Sequence, residues 1–251
     1  MMIDFCLPVK NEEKIIGDNL VKLRDFLVLQ NYSFSWQIVV ILNNCDDRSE
    51  NIVQSLVLEN PQQFKYLSIS PPGKGGALKY YFSISNADIL VFMDIDLAVS
   101  LENINALINP IIKNDYDFVI GSRLLENSQV ERSFFRSISS LIYNILSRKL
   151  FCHNFRDLQC GFKAFKSEVF AKTKPYLKDN KWFLDTEMVL IAKFFKFRIK
   201  EIPVNWAENR YAQRKSKVNV YRSAWGFIKN MIRLRLLISS LAISKKYRDN
   251  A

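Results

Sequence analysis

Four short apolar runs rich in β-branched and aromatic residues, Ile3–Val9, Gln37–Leu42, Ile89–Met93 and Phe118–Ile120, constrain this chain more than any other feature. None of them alternates apolar with polar residues, so each strand they form has to be covered on both faces. The intervening segments supply that cover. Glu12–Leu29 places Ile15, Ile16, Leu20, Leu23 and Leu27 on one helical side, and Arg48–Leu58, Lys74–Ser85 and Leu101–Ile112 also read as helices, with a short strand at Tyr66–Ile69. Alternation of this kind predicts an α/β fold, a mostly parallel central sheet with helices on both faces. Such sheets bind ligands beyond the carboxyl ends of their strands. Polar clusters follow Val9, Leu42, Met93 and Ile120 at those ends.

The second half is less regular. Ser133–Leu150 reads as a helix, Phe162–Phe165 as a strand, Leu184–Phe195 as a helix, Ile199–Val204 as a strand and Val218–Ser244 as a long terminal helix. Without an internal repeat or a clear linker, residues 1–217 are expected to form one catalytic-type body. Residues 218–251 then form a basic amphipathic helix and tail, either part of that domain or peripheral to a membrane. Charge divides the chain in the same way. Residues 1–195 carry 22 Lys/Arg and 22 Asp/Glu, so the whole formal excess of +11 lies in residues 196–251. A basic end suits an anionic partner: a phosphate-bearing ligand, a membrane surface or a nucleic acid. With only 7 Gly and 7 Pro, disordered and collagen-like classes are excluded. Cys6, Cys45, Cys152 and Cys160 follow no paired spacing, which fits a reducing, cytoplasmic setting. The sequence shows neither a leader peptide nor a spanning segment.

Asp94-Ile95-Asp96, directly after the run Ile89–Met93, is the sharpest chemical feature. In an extended segment, residues two apart face the same way. Two carboxylates at a strand mouth are relieved by a divalent cation, Mg²⁺ or Mn²⁺, bridging to a diphosphate. Gly73-Lys74-Gly75-Gly76 opens a helix, where glycines allow close approach and Lys74 can meet a phosphate. Arg123 follows a strand, and Arg132 and Arg136, four apart, share a helix face with guanidinium forks suited to phosphate oxygens. Asp185 and Glu187 point in different directions on a helix, so only one need face a site. The single histidine, His153, lies outside all these clusters.

Taken in order, these segments resemble the inverting family 2 glycosyltransferases of GT-A (Rossmann-like) fold, and within them the dolichyl- or polyprenyl-phosphate glucosyl- and mannosyltransferases. The matching stretches are Leu7–Glu12, Val40–Asn44, Gly73–Ala77, Asp94–Asp96, Gly121–Arg123, Asp157–Lys163, Trp182–Glu187 and Ile202–Trp206, within residues 3–240. The resemblance implies a nucleotide-sugar site at Pro8, Glu12, Asn43, Asn44, Asp47, Lys74, Asp94 and Gln159. It implies a cation at Asp94 and Asp96, and catalytic roles for these two and for Asp157 and Asp185. It offers Arg123, Arg132 and Arg136 to the acceptor phosphate, and Arg214, Ser216 and Lys217 as a basic segment folding over the diphosphate. The family often has an Asp-Asp pair where this chain has Asn43-Asn44, which leaves the base open between UDP-glucose, favoured, and GDP-mannose.

A phosphate monoester has a second pKa of about 6, so it arrives as a dianionic nucleophile and needs no histidine base. The expected reaction is one in-line attack on the anomeric carbon with inversion. On Val218–Ser244, Val218, Tyr221, Trp225, Ile228, Ile232 and Leu236 form an apolar side and Arg222, Lys229 and Arg233 a basic one. Such a helix can lie on an anionic bilayer, which predicts a peripheral enzyme on the cytoplasmic membrane face. Rival readings are a saccharide acceptor on the same fold, a nucleic-acid binder using the basic aromatic tail, and a non-catalytic membrane scaffold. A nucleic-acid partner is not expected, because it gives no reason for Asp94 and Asp96.

Overall fold

A computed structural model describes residues 1–70, 73–131, 134–207 and 220–249. Nine strands are described: β1 (Met2–Val9), β2 (Ser35–Asn43), β3 (Phe64–Ile69), β4 (Ile89–Met93), β5 (Phe118–Ser122), β6 (Gln129–Glu131), β7 (Phe162–Lys166), β8 (Ile199–Pro203) and β9 (Asn205–Ala207). The helices are α1 (Ile16–Leu29), α2 (Ser49–Glu59), α3 (Lys74–Ile84), α4 (Asn103–Ile112), α5 (Phe134–Phe151), α6 (Ser167–Thr173), α7 (Leu184–Phe194) and α8 (Val220–Asp249). Seven strands form one sheet in the order β3-β2-β1-β4-β7-β5-β8, and β6 pairs with β9 in a small second sheet.

The two-sided burial expected of the apolar runs is present residue by residue. Ile3, Phe5, Leu7 and Val9 of β1, Ile38, Val40 and Leu42 of β2, and Ile89, Val91 and Met93 of β4 face one core with α1, α2 and α4. The alternate residues, Cys6, Val39, Ile41, Leu90 and Phe92, face a second core with α3, α6 and α7. The two-residue period thus distributes one strand between two cores.

Three differences from the expected architecture bear on the site. β7 runs antiparallel between β4 and β5. It therefore begins, at Gly161–Phe162, on the edge where its neighbours end. Its sequence, Phe162–Lys166, carries no sign of direction, because strand polarity is set by pairing and not by side-chain pattern. Second, the short strands β6 and β9 were not anticipated, since three residues give too few alternations to register. Third, α8 packs against the body on one side: Met231 and Leu234 are buried, and Phe227 meets Tyr143 and Phe183 with ring centroids 5.3 and 6.2 Å apart. Arg233, expected on a solvated basic face, instead pairs with the buried carboxylate of Glu187 on α7. The apolar residues Ile228, Ile232 and Leu236 point outward, as does Lys229.

Candidate active site

The site lies over the junction of β1, β4, β7 and β5. After β1 and β2 the chain turns through Asn11 and Asn44, both at positive φ (56° and 53°), a conformation asparagine tolerates better than most residues. These loops are tied together. Asp46 N–H donates to the Asn11 carboxamide at 3.0 Å, Glu13 N–H donates to Asp47 Oδ2 at 3.0 Å, and Glu12 N–H donates to Ser49 Oγ at 2.9 Å. Asp47 Oδ1 also accepts from Ser49 N–H at 3.0 Å. Burial would raise the Asp47 carboxyl, but the bonds to Ser49 and Glu13 outweigh it and hold it below the usual range. Asp47 thus joins two loops, and Pro8, within β1, and Glu12 are half-buried beside it. Asn43 is buried, and its carboxamide oxygen accepts from Gly73 N–H at 2.7 Å. That oxygen, expected to address a nucleotide base, positions the loop before α3. Asn44 is exposed.

The glycines of Gly73–Gly76, expected to allow close approach, admit a neighbouring stretch of backbone. Gly73 has φ 130°, and a Cβ at Gly73 or Gly75 would run into the backbone of Asn180 and Lys181. Gly76 N–H donates to Asn180 C=O at 2.9 Å. The close approach is thus to the chain entering α7, and it brings Lys74 and Asp185 into one neighbourhood.

Asp94 and Asp96 stand in a turn and not in an extended segment. Leu97 N–H donates to Asp94 C=O at 3.2 Å, and Leu97 has φ 49°. Both carboxylates nevertheless line one open cleft of about 480 Å³, together with Arg123, Gln159, Cys160, Gly161 and Trp206. Lys74 Nζ donates to Asp94 Oδ1 at 2.6 Å and lies 5.3 Å from the Trp182 ring. Burial alone would lower the Lys74 pKa; Asp94, Asp185 and Asp96 overcome it and hold the ammonium above the usual lysine range.

Behind the cleft the charges are buried and paired. Arg123 grips Asp157 through Nε at 2.7 Å and a terminal nitrogen at 3.0 Å. Asp157 also accepts from the backbone N–H groups of Arg123 and Gln159 and is fully buried. Burial pushes its carboxyl up, but Arg123 overrides this and keeps it below the usual range. Asp157, expected to be catalytic, is enclosed and orients Arg123. Glu201 on β8 accepts from Asp157 N–H at 2.8 Å and fixes the same loop. Lys163, wholly buried on β7, faces Asp185 Oδ1 at 3.7 Å and donates to Cys160 C=O. Burial pushes the Asp185 carboxyl above the usual range against the pull of Lys163 and Lys74. Glu187 points the other way, accepting from Lys178 and Asp179 N–H at 3.0 and 2.8 Å.

The structure therefore gathers Asp94, Asp96, Arg123 and Gln159 in one cleft and adds Lys74 and Asp185 beside it. Pro8, Glu12, Asn43, Asn44 and Asp47 belong to the neighbouring loops of β1 and β2. Arg132, Arg214, Ser216 and Lys217 lie outside the described residues, as does the side chain of Arg136. Lys163, Glu201, Trp182 and Trp206 were not anticipated as site residues; only the place of Lys163, Trp182 and Trp206 in the matching stretches pointed to them. Asp94 and Asp96 offer hard oxygen ligands suited to Mg²⁺ or Mn²⁺, with remaining positions open to water and phosphate oxygens. Among the described residues no group of three His, Cys, Asp or Glu could hold a metal.

Comparison with known proteins agrees with this architecture. The model of Glycosyl transferase family 2 matches residues 4–173. Glycosyltransferase AglD of Haloferax volcanii is 32% identical over 236 residues, covering 92% of this chain but 36% of that protein. Dolichyl-phosphate beta-glucosyltransferase of Dictyostelium discoideum is 29% identical, with 93% of this chain and 73% of that protein covered. A related Trichomonas vaginalis enzyme, ALG5D, is 29% identical and is covered over 66% of its length. Among solved structures, glucosyl-3-phosphoglycerate synthase of Mycobacterium tuberculosis, in complex with phosphoglyceric acid, aligns with TM-score 0.66 at 16% identity, covering 94% of this chain and 79% of that one. The chain thus spans about a third of the AglD protein and just under two thirds of ALG5D, and the family match over most of its own length, on a sheet of GT-A type with a cleft at its carboxyl edge, has one meaning: this chain belongs to glycosyl transferase family 2.

Proposed function

We propose that the protein transfers a hexose, with glucose favoured, from a nucleoside diphosphate sugar to a polyprenyl phosphate, with inversion at the anomeric carbon. The observation that carries this reading is the likeness to dolichyl-phosphate beta-glucosyltransferases across nearly the whole chain, with a cleft that joins two carboxylates to paired cations. UDP-glucose is the first donor to test, since a solved neighbour was crystallised with UDP-glucose and Mn²⁺, and GDP-mannose is the second.

In this reading the loops of Pro8, Glu12, Asn44 and Asp47 seat the nucleoside, and Lys74 meets the diphosphate. A divalent cation held by Asp94 and Asp96 would supply charge neutralisation for the departing nucleoside diphosphate. Arg123, fixed by Asp157, faces the acceptor phosphate, whose dianion attacks the anomeric carbon. Gln159 and Trp206 line the sugar's space. Arg132 and Arg136 are offered as further acceptor-phosphate contacts, and Arg214, Ser216 and Lys217 as contacts to the diphosphate.

The acceptor sits in a membrane, and no helix among the described residues is long and apolar enough to cross one. We assign peripheral contact to α8 and α5. Ile228, Ile232, Leu236 and Ile243 are exposed on α8, and Leu141, Ile142, Ile145 and Leu146 on α5. The exposed cations Lys149, Lys229 and Arg235 accompany them, which favours an anionic, cytoplasmic-face bilayer.

Transfer from a panel of nucleotide sugars to short polyprenyl phosphates, with Mg²⁺ or Mn²⁺ and with product anomer determined, tests the reaction. A retained anomeric configuration, or transfer to saccharides alone, rejects it. Flotation with phosphatidylglycerol vesicles tests the surface: Ile232→Glu with Leu236→Glu should abolish binding and leave transfer to a short soluble acceptor intact.

A further inference from the structure

We propose that Lys74 makes cation binding at Asp94 conditional on the diphosphate: the ammonium occupies the aspartate until a nucleotide draws it away. This rests on the reading of Asp94 and Asp96 as cation ligands and adds a role for the lysine before substrate arrives.

The ion pair is close and one-sided. Lys74 Nζ lies 2.6 Å from Asp94 Oδ1, with the lysine side chain 10% exposed and that of Asp94 46% exposed. The lysine is confined, its Nζ lying 5.9 Å from the Phe92 ring and 5.3 Å from the Trp182 ring. On its other side the Asp94 carboxylate fills the space that a side chain at Gly161 would take, so the missing Cβ lets it sit close against the start of β7. A cation entering alone meets a carboxylate already shared with a positive charge, and finds no third acidic, histidine or cysteine ligand grouped with it among the described residues. Like charges this close repel strongly where water is scarce.

A nucleoside diphosphate changes both conditions. Its oxygens complete the cation's shell, and its negative charge offers Lys74 a second partner, so Asp94 is released to the metal. Asp185, which faces Lys163 at 3.7 Å, also attracts Lys74 and leaves the lysine a neighbour to lean on once Asp94 is released. Binding of cation and diphosphate is then mutually reinforcing, and the coupling has to be reciprocal.

Mn²⁺ binding to the full-length, nucleotide-free protein, read by electron paramagnetic resonance, tests the idea without reference to turnover. Lys74→Met should bind Mn²⁺ alone at least about tenfold more tightly than wild type, and the enhancement of Mn²⁺ affinity by UDP should shrink by a similar factor. Lys74→Gln, which keeps a polar side chain, gives the same reading should the methionine variant fail to fold. Equal Mn²⁺ affinity in wild type and both folded variants overturns the proposal. Asp94→Asn separates the two layers of inference: Mn²⁺ binding retained in it overturns the cation assignment itself, whereas binding lost in it but unchanged in Lys74→Met overturns the lysine's role alone.

Discussion

The two halves of the sheet handle charge in opposite ways. On the side of β1, β2 and β4, polar groups stand at strand ends in loops held by asparagine turns and backbone bonds, and Asp94 keeps nearly half of its side-chain surface in the open. On the side of β7, β5 and α7, the carboxylates are withdrawn from water and matched: Asp157 with Arg123, Asp185 with Lys163, Glu187 with Arg233. The first half leaves charge available to a ligand. The second spends its charges on holding a shape around that ligand. Replacing a residue in one half should therefore damage binding and turnover, and in the other half folding.

The largest effect tests the buried side. Asp157→Ala leaves Arg123 with its charge uncompensated, and a cost of about 3–5 kcal/mol is expected, measured by denaturant unfolding. A loss of activity without that loss of stability would break the contrast. On the open side, Asp94→Asn and Asp96→Asn should each lower kcat by about 100-fold or more, with a smaller loss of stability than Asp157→Ala, because Lys74 keeps other carboxylates nearby. Gly161→Ala sharpens the boundary, since its Cβ would displace the Asp94 carboxylate from the β7 side. It should cost about tenfold in kcat/KM with a small loss of stability, and a wild-type rate would show that the carboxylate's position is not critical.

The smallest effect concerns His153. It is buried, its Nε2 lies 2.9 Å from Ser147 Oγ, and its Nδ1 has no partner. Burial, then Lys193 and Arg148, lowers its pKa to about 4 from an ordinary value of about 6.5. The unfolded chain takes up the proton first, so the contribution is complete above pH about 6.5 and is lost as pH falls towards about 4. The melting temperature should decline across that window, and His153→Gln should flatten the decline. A profile unchanged by the substitution would remove His153 from the account.

This contrast also explains what could be read from the chain alone. β1, β2 and β4 are legible because their apolar runs leave no other way to be buried, and Asp94 and Asp96 stand out because acids rarely follow such runs. The direction of β7 is not legible, since Phe162–Lys166 would read the same either way. Nor is the fate of Asp157, Lys163 or Arg233. Pairing joins residues 123 to 157, 163 to 185 and 187 to 233, and no local pattern reports a partner that far along the chain. Asn43 and the glycines of Gly73–Gly76 were read as ligand contacts because small and amide residues do the same work for a ligand as for another stretch of backbone. The bond from Gly73 to Asn43 and the approach of Asn180 to the glycines are long-range contacts that the local sequence does not report.

The reversed strand has a consequence for how such an enzyme diversifies. β5 leaves the sheet at Ser122 and β7 re-enters it at Phe162, on the same edge and next to one another. Everything between them, including β6 and α5, is a detour that departs from the cleft and returns to it. A detour of this form puts no extra rung between β5 and β7, so its outer turns can vary in length, while its two ends stay tied by Arg123 and Asp157. On the reading proposed above, the loops that seat the donor can then stay constant while the outer part of this segment is rewritten, and one scaffold can serve many acceptors.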